Sequence, residues 1–150
     1  MPRVWLPLML AAVALSMRCM AAPADTVEYF NSPVNASLGL PFSEAVRVGN
    51  TLYVSGQIGN LPGKRTLVAG GLEAEARQTM ENVRATLAAH GYSLSDLVKC
   101  TVMLADISEW AKFNDVYRSF FSGHYPARSA LGASGLALGA RVEVDCIAAR

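Results

Sequence analysis

From Arg141 to Ala148 the chain alternates without a break, with Val142, Val144, Cys146 and Ala148 at one set of positions and Glu143, Asp145 and Ile147 at the other. Successive side chains of a strand point to opposite faces, so this stretch reads as a strand with one apolar face and one face that carries carboxylates. Glu143 therefore leaves the core. A second stretch, Pro126-Ala127-Arg128-Ser129-Ala130, places one arginine at the start of another apolar strand. A guanidinium on one strand and a carboxylate, Glu143, leaving the core of the other suit a site that holds an anion and activates water, and the rest of the chain reads as their scaffold.

At 150 residues, 52% of them hydrophobic, the chain has material for one compact domain. Part of that hydrophobicity belongs to the start, where Arg3 precedes an uncharged run from Val4 to Met17. The run is shorter than the ~20 apolar residues that span a bilayer, and its basic start, apolar middle and small-residue end match a secretory signal. Cleavage is placed near Ala22, which gives a signal peptide at residues 1–21 and a domain at residues 22–150. The alternative is an uncleaved anchor or a buried N-terminal helix. The expectation is a periplasmic or secreted protein, with no membrane partner after cleavage.

Removing residues 1–21 takes two of the 13 basic residues, Arg3 and Arg18, and none of the 12 acidic ones, which leaves a net charge of about −1. A near-neutral chain without a Lys/Arg cluster lacks the footprint that phosphate-backbone binding requires, so nucleic acid is not expected as a partner. Cys100 and Cys146 both fall on apolar faces of strands and are read as buried free thiols acting as small hydrophobes, with a disulfide as the alternative in an oxidising compartment. With no CxxC pair and only His90 and His124 as imidazoles, no metal site is expected.

Within the domain, Val27 to Phe30 reads as a first strand that Asn31-Ser32-Pro33 ends. Ala45 to Val48 and Thr51 to Val54 flank Gly49-Asn50, the signature of a β-hairpin. The second hairpin strand runs on through Ser55-Gly56-Gln57-Ile58, where Gly56 marks a bulge or a close approach to the backbone. Asn60 to Gly71 is a glycine-rich loop without the Gly-Lys-Ser/Thr order of a phosphate-binding loop. Between Leu72 and His90, Ala76, Met80, Val83 and Leu87 share one helical face, and Gly91 stops the helix. Val98 to Leu104 alternates as a strand. A second helix, capped by Asp106 or Ser108, carries Trp110, Phe113, Tyr117 and Phe120 at core spacing, and two strands follow.

The implied order is β-ββ-α-β-α-β-β, an α+β fold with two amphipathic helices covering one face of a sheet. The other face is left for solvent or a second subunit, and Arg128, Glu143 and Ile147 are expected on it. A glutamate partly desolvated there has a raised pKa and can act as base and then acid on water. Arg128 can grip a carboxylate through two parallel hydrogen bonds. A structural ion pair between the two is the alternative.

The segments Asn31-Ser32-Pro33, Val48-Gly49-Asn50, Val54-Ser55-Gly56-Gln57-Ile58, Ala76-Arg77-Gln78 with Glu81-Asn82-Val83, Phe113-Asn114-Asp115-Val116-Tyr117, Pro126-Ala127-Arg128-Ser129 and Val142-Glu143-Val144 occur in this order. In this the chain resembles the RidA/YjgF family, also called the L-PSP family, of reactive enamine and imine deaminases. The resemblance implies a chorismate-mutase-like fold, a mixed sheet with two helices on one face, and a homotrimer with clefts between subunits. It implies that Arg128 holds the substrate carboxylate and that Glu143 positions or activates water, with Ser55, Asn114 and Phe42 near the cleft. The implied substrates are 2-imino or 2-enamino acids such as 2-iminopropanoate, hydrolysed to a 2-oxo acid and ammonia without metal or organic cofactor. Two departures stand out. Leu40-Pro41-Phe42 replaces the family's usual Gly-Pro-Tyr and loses a hydroxyl, and Ala130 replaces its usual Cys after Arg-Ser. They keep a second reading open, a non-catalytic trimer that binds a small carboxylate or serves as a scaffold.

Overall fold

The structure, a computed structural model, describes residues 26–150. The expected signal peptide at residues 1–21 lies outside the described residues. Six strands, β1 (Val27–Phe30), β2 (Ala45–Val48), β3 (Thr51–Ile58), β4 (Leu97–Leu104), β5 (Ala127–Gly132) and β6 (Val142–Ala149), form one sheet in the order β1-β2-β3-β6-β4-β5. Every neighbouring pair is antiparallel except β4 and β5. A parallel pair needs a crossover, and the helix α3 (Trp110–Arg118) lies on it. The hairpin between β2 and β3 turns at Gly49, whose φ of 54° suits a tight two-residue turn, and Val48 pairs with Thr51 across it.

The long helix α2 (Gly71–Ala89) and α3 cover one face of the sheet. Ala76, Met80, Val83 and Leu87 of α2 and Phe113 and Tyr117 of α3 are buried against Leu52 and Val54 of β3, Cys100, Val102 and Leu104 of β4, and Val142, Val144, Cys146 and Ala148 of β6. The fold expected from the sequence is the fold observed, a mixed sheet with two main helices on one face. Two elements differ in detail. Pro33 does more than end β1: it occupies the first turn of a short helix α1 (Pro33–Ser37), with Ser32 as N-cap accepting from Asn35 N at 3.3 Å. Trp110 is 47% exposed rather than part of the core stripe. A 3-10 turn (Ile107–Glu109) capped by Asp106 precedes α3, so Trp110 sits at the start of the helix and the buried stripe begins at Phe113.

Cys100 and Cys146 are not free thiols: they form a disulfide. Alternation correctly puts each on the core face. Their pairing follows from β4 and β6 being neighbours in a register that sets Cys100 directly opposite Cys146, with Cα atoms 4.1 Å apart. That adjacency is a property of the topology, which spacing along the chain does not reveal.

A cross-link between residues 46 apart removes chain entropy from the unfolded state. The Cys100→Ala/Cys146→Ala variant is expected to lose ~4 kcal/mol in urea unfolding. Alkylation of urea-unfolded protein without reductant is expected to label neither cysteine, and labelling of both would contradict the bridge.

Candidate active site

Glu143 lies near the start of β6 on the face away from the helices, where β6 is half-buried at every second residue. Its carboxyl has no ion-pair partner among the described residues. Burial pushes its pKa above the ordinary glutamate value, and Asp145, two residues on along the same face, pushes it further.

The room for this carboxyl is made by β3. Val54 pairs with Cys146 and Gln57 with Val144, so Ser55 and Gly56 together face the single residue Asp145 in a β-bulge. A Cβ on Gly56 would stand 1.9 Å from Glu143 Oε1. The close approach to the backbone expected at Gly56 is thus made by the Glu143 side chain. Ser55 Oγ donates to the Ser43 carbonyl at 2.6 Å, which spends its proton and leaves its lone pairs available.

Glu143, Ser55, Gly56 and Phe42 line one cavity of about 460 Å³. Glu44 lines it too, with its carboxylate held by Ser32 N at 2.9 Å and Asn35 Nδ2 at 3.0 Å. Lys64 and Arg65, from the loop after β3, stand at the same cavity. So does Leu138, whose φ of 57° puts it in the left-handed region, a conformation that costs a β-carbon-bearing residue ~1–2 kcal/mol.

Arg128 stands elsewhere. On the edge strand β5 it pairs with Cys100, and since opposed residues of a ladder share a face, its side chain starts on the helix side of the sheet. Nη2 donates to Asn114 Oδ1 of α3 at 2.7 Å, and the guanidinium lies 4.7 Å from the centre of the Tyr117 ring. Arg128, Asn114, Tyr117, Arg118, Tyr125 and Pro126 line a second cavity of about 300 Å³. The Tyr117 hydroxyl is buried without a hydrogen-bond partner among the described residues, and burial pushes its pKa up to about 12, against a smaller opposing pull from Arg128.

The expected site residues therefore fall into two groups, Phe42, Ser55 and Glu143 on one side of the sheet and Arg128 and Asn114 on the other. The expectation that Arg128 shares the open face with Glu143 is corrected by the parallel register of β5. Arg128 is level with Cys146 of β6, Glu143 is three residues away along that strand, and β4 lies between β5 and β6. Their Cα atoms are roughly 14 Å apart at standard strand spacings, with side chains on opposite faces. Sequence reasoning missed Tyr117 as a neighbour of Arg128, having taken it only as core, and missed Leu138, whose sole signal is a backbone angle. Neither histidine joins either group: His90 packs on Phe30 at 4.2 Å between ring centres, and His124 Nε2 is 3.3 Å from the Ser95 carbonyl. Among the described residues no three His, Cys, Asp or Glu side chains cluster to hold a metal ion.

The family described as Endoribonuclease L-PSP matches residues 35–150 of this sequence. The 2-iminobutanoate/2-iminopropanoate deaminase of Bos taurus is 43% identical over 113 residues, which is 75% of this chain and 82% of that protein. The human protein of the same name is 41% identical over 72% of this chain and 79% of its own length. Among solved structures, RidA from a Psychrobacter species superposes with a TM-score of 0.71 at 41% identity, over 74% of this chain and 89% of that one. TdcF of E. coli, crystallised with bound serine, gives 0.70 at 33% identity over 74% and 89%. The chain belongs to the L-PSP family, also called the RidA/YjgF family.

Gly56 has a backbone open to any residue, and the atom in the way of a Cβ is the end of a flexible side chain. Gly56→Ala is accordingly expected to fold and to drive the Glu143 carboxyl from its place. A crystal structure of the variant with Glu143 unmoved would contradict this account of the bulge.

Proposed function

We propose that this protein is a deaminase that hydrolyses 2-imino and 2-enamino acids of the 2-iminopropanoate kind to 2-oxo acids and ammonia, in clefts between the copies of a homotrimer. The observation that carries this reading is the placement of two groups: a guanidinium held by Asn114 on one face of the sheet, and on the other a half-buried carboxyl with no ion-pair partner among the described residues. Neither can complete a site within one copy. Two copies with the sheet edge of one against the open face of the next supply both. The names of the deaminase relatives support the chemistry. The serine bound by TdcF, an amino acid with a 1-carboxylate, supports a site that takes such ligands.

In the proposed reaction Arg128 of one copy holds the substrate carboxylate, with Asn114 and the Tyr117 ring fixing the guanidinium. Glu143 of the next copy takes a proton from water as its oxygen bonds to C2 of the protonated imine. The same carboxyl returns that proton to nitrogen and then takes the proton of the new hydroxyl as the C–N bond breaks. Ammonia leaves, the 2-oxo acid forms, and the proton passes from Glu143 to the departing ammonia, giving ammonium. Ser55 contributes an acceptor, and the ring of Phe42 a wall without a hydroxyl. The Cys100–Cys146 bridge supports the further proposal of an exported protein, cleaved near Ala22, because disulfides persist in oxidising compartments.

The test generates imino acids in situ with an amino-acid oxidase and follows 2-oxo acid release. The protein is expected to accelerate release. Glu143→Gln is expected to reduce kcat by ~10²–10⁴-fold, and Arg128→Ala to raise KM by roughly 10–100-fold, the value of a charge-assisted hydrogen-bonded pair. No acceleration would sink the reading, and Arg128-dependent carboxylate binding without turnover would establish the non-catalytic alternative.

Activity needs Glu143 ionised, so it falls as pH drops through the Glu143 pKa. Asp145→Asn removes the like charge that raises this pKa. The acid limb of the kcat/KM profile is therefore expected to move to lower pH in that variant, and a shift to higher pH would contradict the assignment.

A further inference from the structure

The cavity beside Glu143 is larger and more apolar than a methyl substituent requires. Val34, Leu38, Leu40, Phe42, Ile58 and Leu138 line it from α1, the segment after α1, β3 and the turn before β6. Val34, Leu38, Phe42 and Leu138 remain 41–54% exposed, so nothing among the described residues covers that hydrocarbon. Leu138 is the one non-glycine residue with positive φ among the described residues. Glycine would occupy that backbone freely, whereas leucine there is strained, and strain of this kind gathers at ligand sites. The volume, about 460 Å³, falls within the range of roughly 300–1,000 Å³ typical of small-molecule pockets.

We infer that this cavity is the subsite for the substrate side chain, and that it selects 2-imino acids with bulky apolar side chains, branched aliphatic or aromatic, over the imine of alanine. The inference rests on the deaminase reading above. With the 1-carboxylate on Arg128 of a neighbouring copy and the imine nitrogen within reach of the Glu143 carboxyl that protonates it, the third substituent of C2, the side chain, is left to face the hydrocarbon wall. The charged groups at the cavity are Glu143, Glu44, Lys64 and Arg65. The two cations make an acidic side chain the rival occupant. The two carboxyls oppose it, since one must ionise for the reaction and the other is held by Ser32 and Asn35 inside the same cavity.

The experiment supplies imines of alanine, leucine, phenylalanine and glutamate from an oxidase, with semicarbazide as a competing trap. The fall in semicarbazone gives the protein's kcat/KM for each imine. The leucine and phenylalanine imines are expected to exceed the alanine imine by about ten-fold or more, as hydrophobic-pocket discrimination allows. Leu138→Gly relieves the backbone while removing the wall, so it is expected to cut that preference several-fold without lowering Tm. Equal or lower values for the bulky imines, a preference for the glutamate imine, or an unchanged preference in Leu138→Gly would overturn the inference while leaving the deaminase reading standing. Failure to accelerate any imine would overturn the deaminase reading itself, and the inference with it.

Discussion

The register of β6 is the constraint on which the structure depends. β6 is hydrogen-bonded to β3 on one side and β4 on the other, and four of its residues, Val142, Val144, Cys146 and Ala148, are in the core. A slip of one residue would expose all four and drive the carboxyls of Glu143 and Asp145 under the helices. Burying an unpaired carboxylate costs several kcal/mol, so the slipped pairing is not a competitor. The disulfide holds the same register covalently at the Cys100–Cys146 row. The alternation that builds the core is also what delivers Glu143 to the open face, and core and half-site cannot be separated.

The same rule applied across β4 to β5 sends Arg128 the other way. Because Cys100 faces the helices and Arg128 is its partner in the ladder, the guanidinium meets α3, where Asn114 and the Tyr117 ring hold it at the sheet edge. On the other side of β6, the bulge at Ser55 and Gly56 of β3 makes room for Glu143. Gly56 there lacks the Cβ that would collide with Glu143, and the Ser55 hydroxyl donates to the Ser43 carbonyl. A subunit built this way carries the guanidinium and the carboxyl at two separate surfaces, the arrangement that the proposed assembly would bring together.

Much of the fold was legible in the sequence because its signals are local. Period two in β4 and β6, the four-three-four spacing of Ala76, Met80, Val83 and Leu87, and the Gly49-Asn50 turn each report one element, and the segment motifs placed the family. Pairings between elements were less legible. The disulfide depends on β4 lying beside β6, and the face of Arg128 depends on the parallel register of β5, a strand too short and too exposed to declare its own inner side. Glu143 could be placed from its own strand alone. Trp110 was misread because helical period says which residues align, not where the helix begins. Leu138 had no sequence signal, since its significance is a backbone angle that leucine rarely adopts.

The central claim is that Arg128 and Glu143 act on one substrate from two different copies of the chain. The direct measurement is complementation: the individually impaired Arg128→Ala and Glu143→Gln proteins are unfolded, mixed in equal amounts, refolded together and assayed on oxidase-generated imines. In mixed trimers a cleft can draw an intact arginine from one subunit and an intact glutamate from its neighbour. Random assembly then restores about a quarter of wild-type activity. Activity no greater than the sum of the two variants refolded separately, in trimers shown to be mixed, would contradict the account.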